Sequence, residues 1–334
     1  MVALDLSACF QGGGQRPLLD ERPWSAVLPR ACFAVTDGRV PESLHLLSMP
    51  DPGSGGPMGP GRMLQSGTLL DRYRIEKEIG SGGFGAVYLA THIILRSSFA
   101  VKVLKPSFRN HDSMLARLQR EGKLAALIHH ENVVRVYDAM EHPDIAYLVL
   151  EYVEGGSLAD RLRSEHCLPT LQVLRIALDV AHGLAAAAAA GVIHRDIKPA
   201  NILLGRQGAK ITDFGLALLR EPGTKAARVG TPGYASPEQT GHGLVDHRAD
   251  IFSLGVTMLE ALTGVGPRRG EHGSMRSAAT DLPPRSAWFA HVDDDVAQLI
   301  ASMVVEDPGR RLGSYEELTR SLLSMVRKFE NSHI

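Results

Sequence analysis

VIHRDIKPANILL, residues 192–204, followed by KITDFGLA at 210–217, is the stretch on which the fold of this chain turns, and its flanks say where it sits. Upstream, from Tyr73 on, the segments YRIEKEIG, AVYLATH, SFAVKVLK, VVRVYDAM and AYLVLEYV carry β-branched or aromatic residues bounded by Gly, Pro, Asp and His, and predict five strands. Between the third and fourth, Met114, Leu115, Leu118, Leu124, Ala125 and Ile128 recur near helical spacing, so one helix over 112–128 interrupts them. After Gly156 the signals turn mostly helical: LADRLRSE, LQVLRIALDVAHGLAAAAAA, IFSLGVTMLEALTG, VDDDVAQLIASMVV and SYEELTRSLLSMVRKF. A small β-rich lobe followed by a larger helical lobe, an α+β bilobal architecture, is the expected fold. No internal repeat suggests a solenoid.

Three features of the first lobe bear chemistry. GSGGFGAV puts Gly80, Gly82 and Gly85 in a GxGxxGxV frame between two predicted strands, with Ser81, Gly83 and Phe84 between them. Glycines there let backbone approach nucleotide phosphates, whereas a dinucleotide fold needs such a loop to open a helix. A plain hairpin turn is the alternative. Lys102, in FAVK of the third strand, is a long cation among apolar neighbours and needs an anionic partner, unless strand alternation simply turns it to solvent. Glu121, on the following helix, is the natural carboxylate to hold it; a solvated helix glutamate is the competing reading.

The HRD loop with an asparagine five residues after its aspartate, then DFG, resembles the catalytic core of protein kinases. The resemblance covers about residues 73–328 and looks most like bacterial kinases of the eukaryotic type. It implies ATP as phosphoryl donor and Mg²⁺, or alternatively Mn²⁺, as a hard cation held by the oxygens of Asn201 and Asp213. Asp196 would accept the proton of the attacking hydroxyl, and Lys198 would stabilise the transferring charge. Lys198 and Thr231, the latter in GTPGYASPEQ, match the serine/threonine subclass, so protein substrates are the implied partners. Position by position, Val87 and Ala100 would cover the adenine, Leu150 would guard the back of the pocket, and Glu151 to Val153 would form the hinge. Phe214 would set active geometry, Glu238 would pair with Arg311, and Asp250 would steady the HRD backbone. Arg195 before the catalytic aspartate implies a loop ordered by phosphate, with Thr224 the leading acceptor.

Departures from the family pattern fall outside this chemistry. GLAAAAAAGVIHRD has alanine where an aromatic and a histidine commonly sit, so looser packing is expected there. After LTG the usual Pro-Phe is replaced by VGPRRGEHGSMRSAATD, expected as a long loop. Two readings compete with an active protein kinase. A catalytically dead scaffold is weakened by the presence of Lys102, Glu121, Asp196, Asn201 and Asp213. A small-molecule phosphotransferase would lack Lys198 in this context and the GTPGYASPE segment. Histidine pairs at 129–130 and 242–247 have no fixed ligand spacing, and Asp293 to Asp295 read as a helix cap.

Composition narrows the rest. Thirty-six basic against thirty-seven acidic side chains give a formal charge of −1, so the charge balance makes no case for nucleic-acid or membrane-surface binding. Cys9, Cys32 and Cys167 are far apart and form no CxxC pair, which speaks against a disulfide framework and for a reducing, cytoplasmic setting. The longest nearly uncharged apolar stretch, Gly183 to Ile193, is about half the roughly 20 residues that span a bilayer, and membrane insertion is not expected. Gly12 to Gly61 is punctuated by Gly and Pro, and a disordered or weakly ordered leader is expected over 1–72, with Met63 an alternative start. The kinase-like domain is expected over 73–330, divided into lobes at 73–153 and 154–330. No further domain or membrane helix is read after it, so an input signal is expected from a partner, phosphorylation or the leader. Oligomeric state is left open.

Overall fold

The computed structural model describes residues 64–81, 85–104, 112–142, 145–214, 218–219, 230–241, 244–267 and 292–332. The leader up to residue 63, the tip of the glycine loop (Gly82, Gly83, Phe84), Thr224 and most of the segment after LTG lie outside them.

All five predicted strands form: β2 (Tyr73–Ser81), β3 (Gly85–His92), β4 (Ser98–Leu104), β5 (Val136–His142) and β6 (Ile145–Glu151). With a short β1 (Leu69–Leu70) they make one antiparallel sheet in the order β1-β2-β3-β4-β6-β5. Strict alternation along β3 turns Ala86, Tyr88 and Ala90 inward, where they meet Ile75, Val101, Val103, Tyr147 and Val149. Register shifts between Ile75 and Lys77 and between Glu78 and Gly80 break the β2–β3 ladder, which bends β2 as it approaches the glycines. Helix α1 (Asp112–Ala126) crosses β5 and β6.

The lobe starts earlier than Tyr73, which corrects the expected leader over 1–72. β1 pairs with β2, Leu70 is buried, Leu64 packs on the sheet's core, and the Leu64 amide donates to the Tyr88 hydroxyl at 3.2 Å. A two-residue strand is too short to show a period, so only its burial reveals it.

In the second lobe, α2 (Leu158–Glu165) opens on a capping box. The Ser157 hydroxyl accepts from the Asp160 amide, and the Asp160 carboxylate accepts from the Ser157 amide. Then follow α3 (Thr170–Ala189), α4 (Pro237–Thr240), α5 (Arg248–Thr263), α6 (Asp294–Met303) and α7 (Tyr315–Asn331). α5 is buried almost all round, from Ala249 to Leu262, and is the lobe's centre. It stops at Gly264, whose φ of 70° is the left-handed helix terminator.

α3 is long and apolar enough to cross a membrane by composition alone, yet Val173, Leu174, Ala177, Val180, Ala181, Leu184 and Ala187 are buried within the lobe. Of its alanine run, residues 185–190, Ala187 is nearly inaccessible, Ala189 is exposed and the others are half-buried. α7 lies alongside α3 and buries Leu318, Leu322 and Val326. Gly183 makes a close approach, because a Cβ would stand 2.7 Å from the Asn132 carbonyl oxygen.

Four short strands assemble the region between α3 and α4. β7 (Val192–Ile193) pairs with β10 (Leu218–Leu219), and β8 (Ile202–Gly205) pairs with β9 (Gly208–Ile211). The lobes are stitched where the Val134 amide donates to the Ile211 carbonyl and the Ile211 amide to the Asn132 carbonyl.

Candidate active site

A cleft of about 1170 Å³ runs between the sheet and the helical lobe, and every described residue singled out from the sequence for chemistry lines it. Gly80, Ser81, Gly85 and Val87 form its roof, Ala100 and Lys102 its upper wall, and Leu150, Glu151 and Val153 its closed end. Asp196, Lys198, Asn201, Asp213 and Thr231 form its floor and far edge. Gly85 is the glycine that packing demands, since a Cβ there would sit 2.6 Å from the Val103 carbonyl oxygen on the neighbouring strand.

Lys102 does not face solvent. Its Nζ donates to both oxygens of Glu121, at 2.6 and 2.8 Å, and to Oδ1 of Asp213 at 3.3 Å. Burial pulls the ammonium's pKa down, but the two carboxylates outweigh it and hold the group well above the ordinary lysine range. The pair also fixes α1 against the sheet, because Glu121 is only 8% exposed and could not stay charged there without a partner.

The floor is a closed set of donors on one carboxylate. Asp196 accepts from the Thr231 hydroxyl at 2.6 Å on Oδ1, and from Lys198 Nζ at 2.8 Å and Asn201 Nδ2 at 3.1 Å on Oδ2. Lys198 Nζ also donates to Thr231 Oγ1 at 2.6 Å, and Asn201 Nδ2 to the Asp196 carbonyl at 2.8 Å. Asn201 therefore turns its side-chain nitrogen to Asp196, leaving the amide oxygen as its free acceptor type. Asp213, with a side chain 43% exposed, presents the other oxygen donor set on the same cleft.

Two non-glycine residues here hold left-handed backbone, Arg195 at φ 69° and Asp213 at φ 67°. Such turns cost energy and persist only where the surroundings impose them. Around Arg195 the restraints are visible: Asp250 accepts from the His194 and Arg195 amides at 2.9 and 2.7 Å, and Gln239 Nε2 donates to the Arg195 carbonyl at 2.8 Å. His194 links the loop to the residues before Phe214. Its Nε2 lies 3.0 Å from the Thr212 carbonyl and its Nδ1 accepts from the Asp196 amide, which assigns the proton to Nε2. Phe214 is buried with its ring edge-on to His194, centroids 4.7 Å apart. Below, Arg311 grips Glu238 with two bonds of 2.6 and 3.0 Å in a pair excluded from water.

Several cleft residues escaped sequence reasoning. Lys77, Glu78 and Ile79 extend the roof, Leu203 and Thr212 the floor, and Glu154, Asp160 and Arg163 the mouth. Glu151 carries an ion pair with Lys210 on β9, at 2.9 Å, tying the hinge to the second lobe. No sequence pattern joins 151 to 210; only the β4–β6 register and the inter-lobe stitch bring them together.

A protein-family profile described as "Protein kinase domain" matches residues 73–323. Among curated proteins, the chain is 34% identical over 263 residues to "Serine/threonine-protein kinase PrkC" of Bacillus subtilis, covering 77% of this chain and 41% of that protein. It is 38% identical over 266 residues to "Serine/threonine-protein kinases drp72" of Corynebacterium efficiens, covering 76% and 51%. To "Serine/threonine-protein kinase PknB" of Mycobacterium leprae it is 34% identical over 267 residues, covering 76% and 43%. The chain thus spans about half or less of the length of these relatives.

Proposed function

The chain belongs to the protein kinase family, and from that premise we propose that it transfers the γ-phosphoryl group of ATP to serine and threonine hydroxyls of proteins, its own among them. The observation that carries this reading is the triangle of Asp196, Lys198 and Thr231, closed by contacts of 2.6 to 2.8 Å at the cleft edge. A carboxylate oriented by three donors is set to align an incoming hydroxyl and take its proton as the oxygen–phosphorus bond forms and the bond to ADP breaks. Lys198, beside it, stabilises the negative charge of the transferring group.

Lys102 is the phosphate-holding cation, kept protonated and aimed by Glu121. The glycine roof offers backbone N–H groups to the same phosphates, and Ala100, Val87, Leu150 and the 151–153 backbone form an apolar slot with a polar edge, as an adenine requires. Asn201 and Asp213 fit a hard divalent cation by donor type: both offer oxygen, and both line the cleft beside Lys102 or Asp196. Mg²⁺, or Mn²⁺ in its place, would neutralise phosphate charge there. Among the described residues no group of three or more His, Cys, Asp or Glu side chains is placed to hold a metal, so the ion would be shared with the nucleotide's own oxygens. Thr224, outside the described residues, is the proposed site of activating phosphorylation.

The test is transfer of labelled γ-phosphate by the wild type and by Asp213→Asn onto the chain itself and onto a generic basic protein. Phosphoserine or phosphothreonine made by the wild type alone supports the reading. No transfer by the wild type, with nucleotide still bound, would replace it with a nucleotide-binding scaffold.

A further inference from the structure

Asp250 is a buried carboxylate, 1% exposed, and its two oxygens are the acceptors that hold the left-handed turn at Arg195. A third donor reaches it from a part of the chain distant in sequence. Tyr315, the first residue of α7 and only 5% exposed, points its hydroxyl at Asp250 Oδ2, 3.4 Å away, and at the His247 carbonyl, 3.2 Å away. The single hydroxyl proton is shared between a neutral and an ionised acceptor, and the ionised one is the stronger. The tyrosine is not free to turn elsewhere. Its backbone follows the Ser314 N-cap of α7, its ring lies against the His247 ring with centroids 5.5 Å apart, and His247 Nε2 is 2.9 Å from the Gly313 carbonyl just before the cap.

We propose that Tyr315 is a positioning residue for phosphoryl transfer, acting through Asp250 to keep the catalytic loop in the conformation that presents Asp196. The inference rests on the kinase reading for its kinetic consequence, but the mechanical link stands on geometry alone. Without its hydroxyl, Asp250 Oδ2 keeps one amide donor, that of His194, at a site shut off from water.

The charged and titratable groups around Asp250 set the direction of the effect. His194 and Arg195 face it from the catalytic loop and Tyr315 from α7, while Asp246 and His247, just before α5, lie beside Tyr315. Burial pushes the Asp250 carboxyl up, while His194, the two amides and the Tyr315 hydroxyl pull it back down. Removing the hydroxyl moves it further up, so the carboxylate is neutralised earlier as pH falls and releases the loop at a higher pH than in the wild type.

Tyr315→Phe deletes the hydroxyl and keeps the ring. The expected result is a turnover about five-fold below wild type on the acid side of the profile, converging on wild type as pH rises, with the acid limb displaced to higher pH and KM for ATP unchanged. In parallel, amide hydrogen exchange on that acid side should show faster exchange at His194 and Arg195 in the variant, with the amides of α3 unaffected. That measurement needs no activity, so it separates failure of this proposal from failure of the kinase reading. A pH profile and exchange rates superimposable on wild type would reduce Tyr315 to packing and overturn the proposal. If Tyr315→Phe lowers overall stability, Asp250→Asn supplies the second comparison: Tyr315→Phe in that background should add no further increase in exchange at His194 and Arg195. An undiminished increase there would equally overturn the proposal.

Discussion

Glu121→Gln is the substitution whose consequence follows most directly from the geometry. In the wild type the Lys102 ammonium, 20% exposed, is neutralised by Glu121 at 2.6 and 2.8 Å and touched more loosely by Asp213 at 3.3 Å. The glutamine keeps shape and one acceptor oxygen but removes the charge. Breaking a buried pair by deleting one partner costs about 3–5 kcal/mol; the retained acceptor and the remaining carboxylate bring the expected loss to about 2 kcal/mol. Lys102 then turns to Asp213, drawing that carboxylate away from the phosphate side of the cleft, and α1 loses its tie to the sheet. Turnover should fall on the order of a hundred-fold or more, because both phosphate-aligning groups are displaced together. The stability loss has a definite pH signature. The folded-state pKa of Lys102 is raised, so the pair's contribution is fully present below the lysine's unfolded value of about 10.4 and is lost only as pH rises through the folded value. The difference in urea midpoint between wild type and variant should therefore be flat from pH 7 to 9. Wild-type turnover in Glu121→Gln, or a stability difference that shrinks steadily across that window, would refute this account of the pair.

Two further outcomes follow. Gly85→Ala places a methyl group 2.6 Å from the Val103 carbonyl, backbone that cannot step aside, so β3 and β4 must part at that register; nucleotide affinity measured by calorimetry should fall about ten-fold. Arg311→Met alone should destabilise the chain by about 3–5 kcal/mol in urea unfolding by stranding Glu238, whereas Arg311→Met with Glu238→Gln should recover much of that loss, and equal losses in both would show that the pair's charge is not what matters.

Most elements were legible because their residues repeat with a period. The burial of β3, inward at every second residue, and of α7 at Leu318, Leu322 and Val326 is the pattern that the sequence displays. The start of the first lobe was not legible, since β1 contributes one buried leucine and no period. Lys102 shows the limit differently. Alternation alone would send it outward, but β4 is an inner strand with the cleft on one side, so its second face is also covered. The HRD and DFG stretches come together on the floor of the cleft because their spacing is tied to one local backbone path. The contacts of Glu151 with Lys210 and of Tyr315 with Asp250 join residues far apart in sequence, and no local spacing encodes them.

The contact of Tyr315 with Asp250 joins a wider set of bonds that converge on the loop carrying Asp196. Asp250 holds the amides of His194 and Arg195, Gln239 holds the Arg195 carbonyl, and Thr231, from the same 230–241 segment, closes on Asp196. The left-handed turn at Arg195 is thus held from α5 and α4, Thr231 holds the Asp196 side chain beside it, and Tyr315 ties Asp250 to α7. A turn that is costly in isolation becomes the favoured one when Asp250 accepts from the His194 and Arg195 amides and Gln239 donates to the Arg195 carbonyl, three bonds of net worth about 1 kcal/mol each against the roughly 1–3 kcal/mol strain of such a residue. It follows that correct assembly of the helical lobe and correct placement of Asp196 are one event: a substitution that loosens α4, α5 or α7 at these bonds should lower turnover before it lowers overall stability, because the strained turn is the first thing the lobe ceases to support.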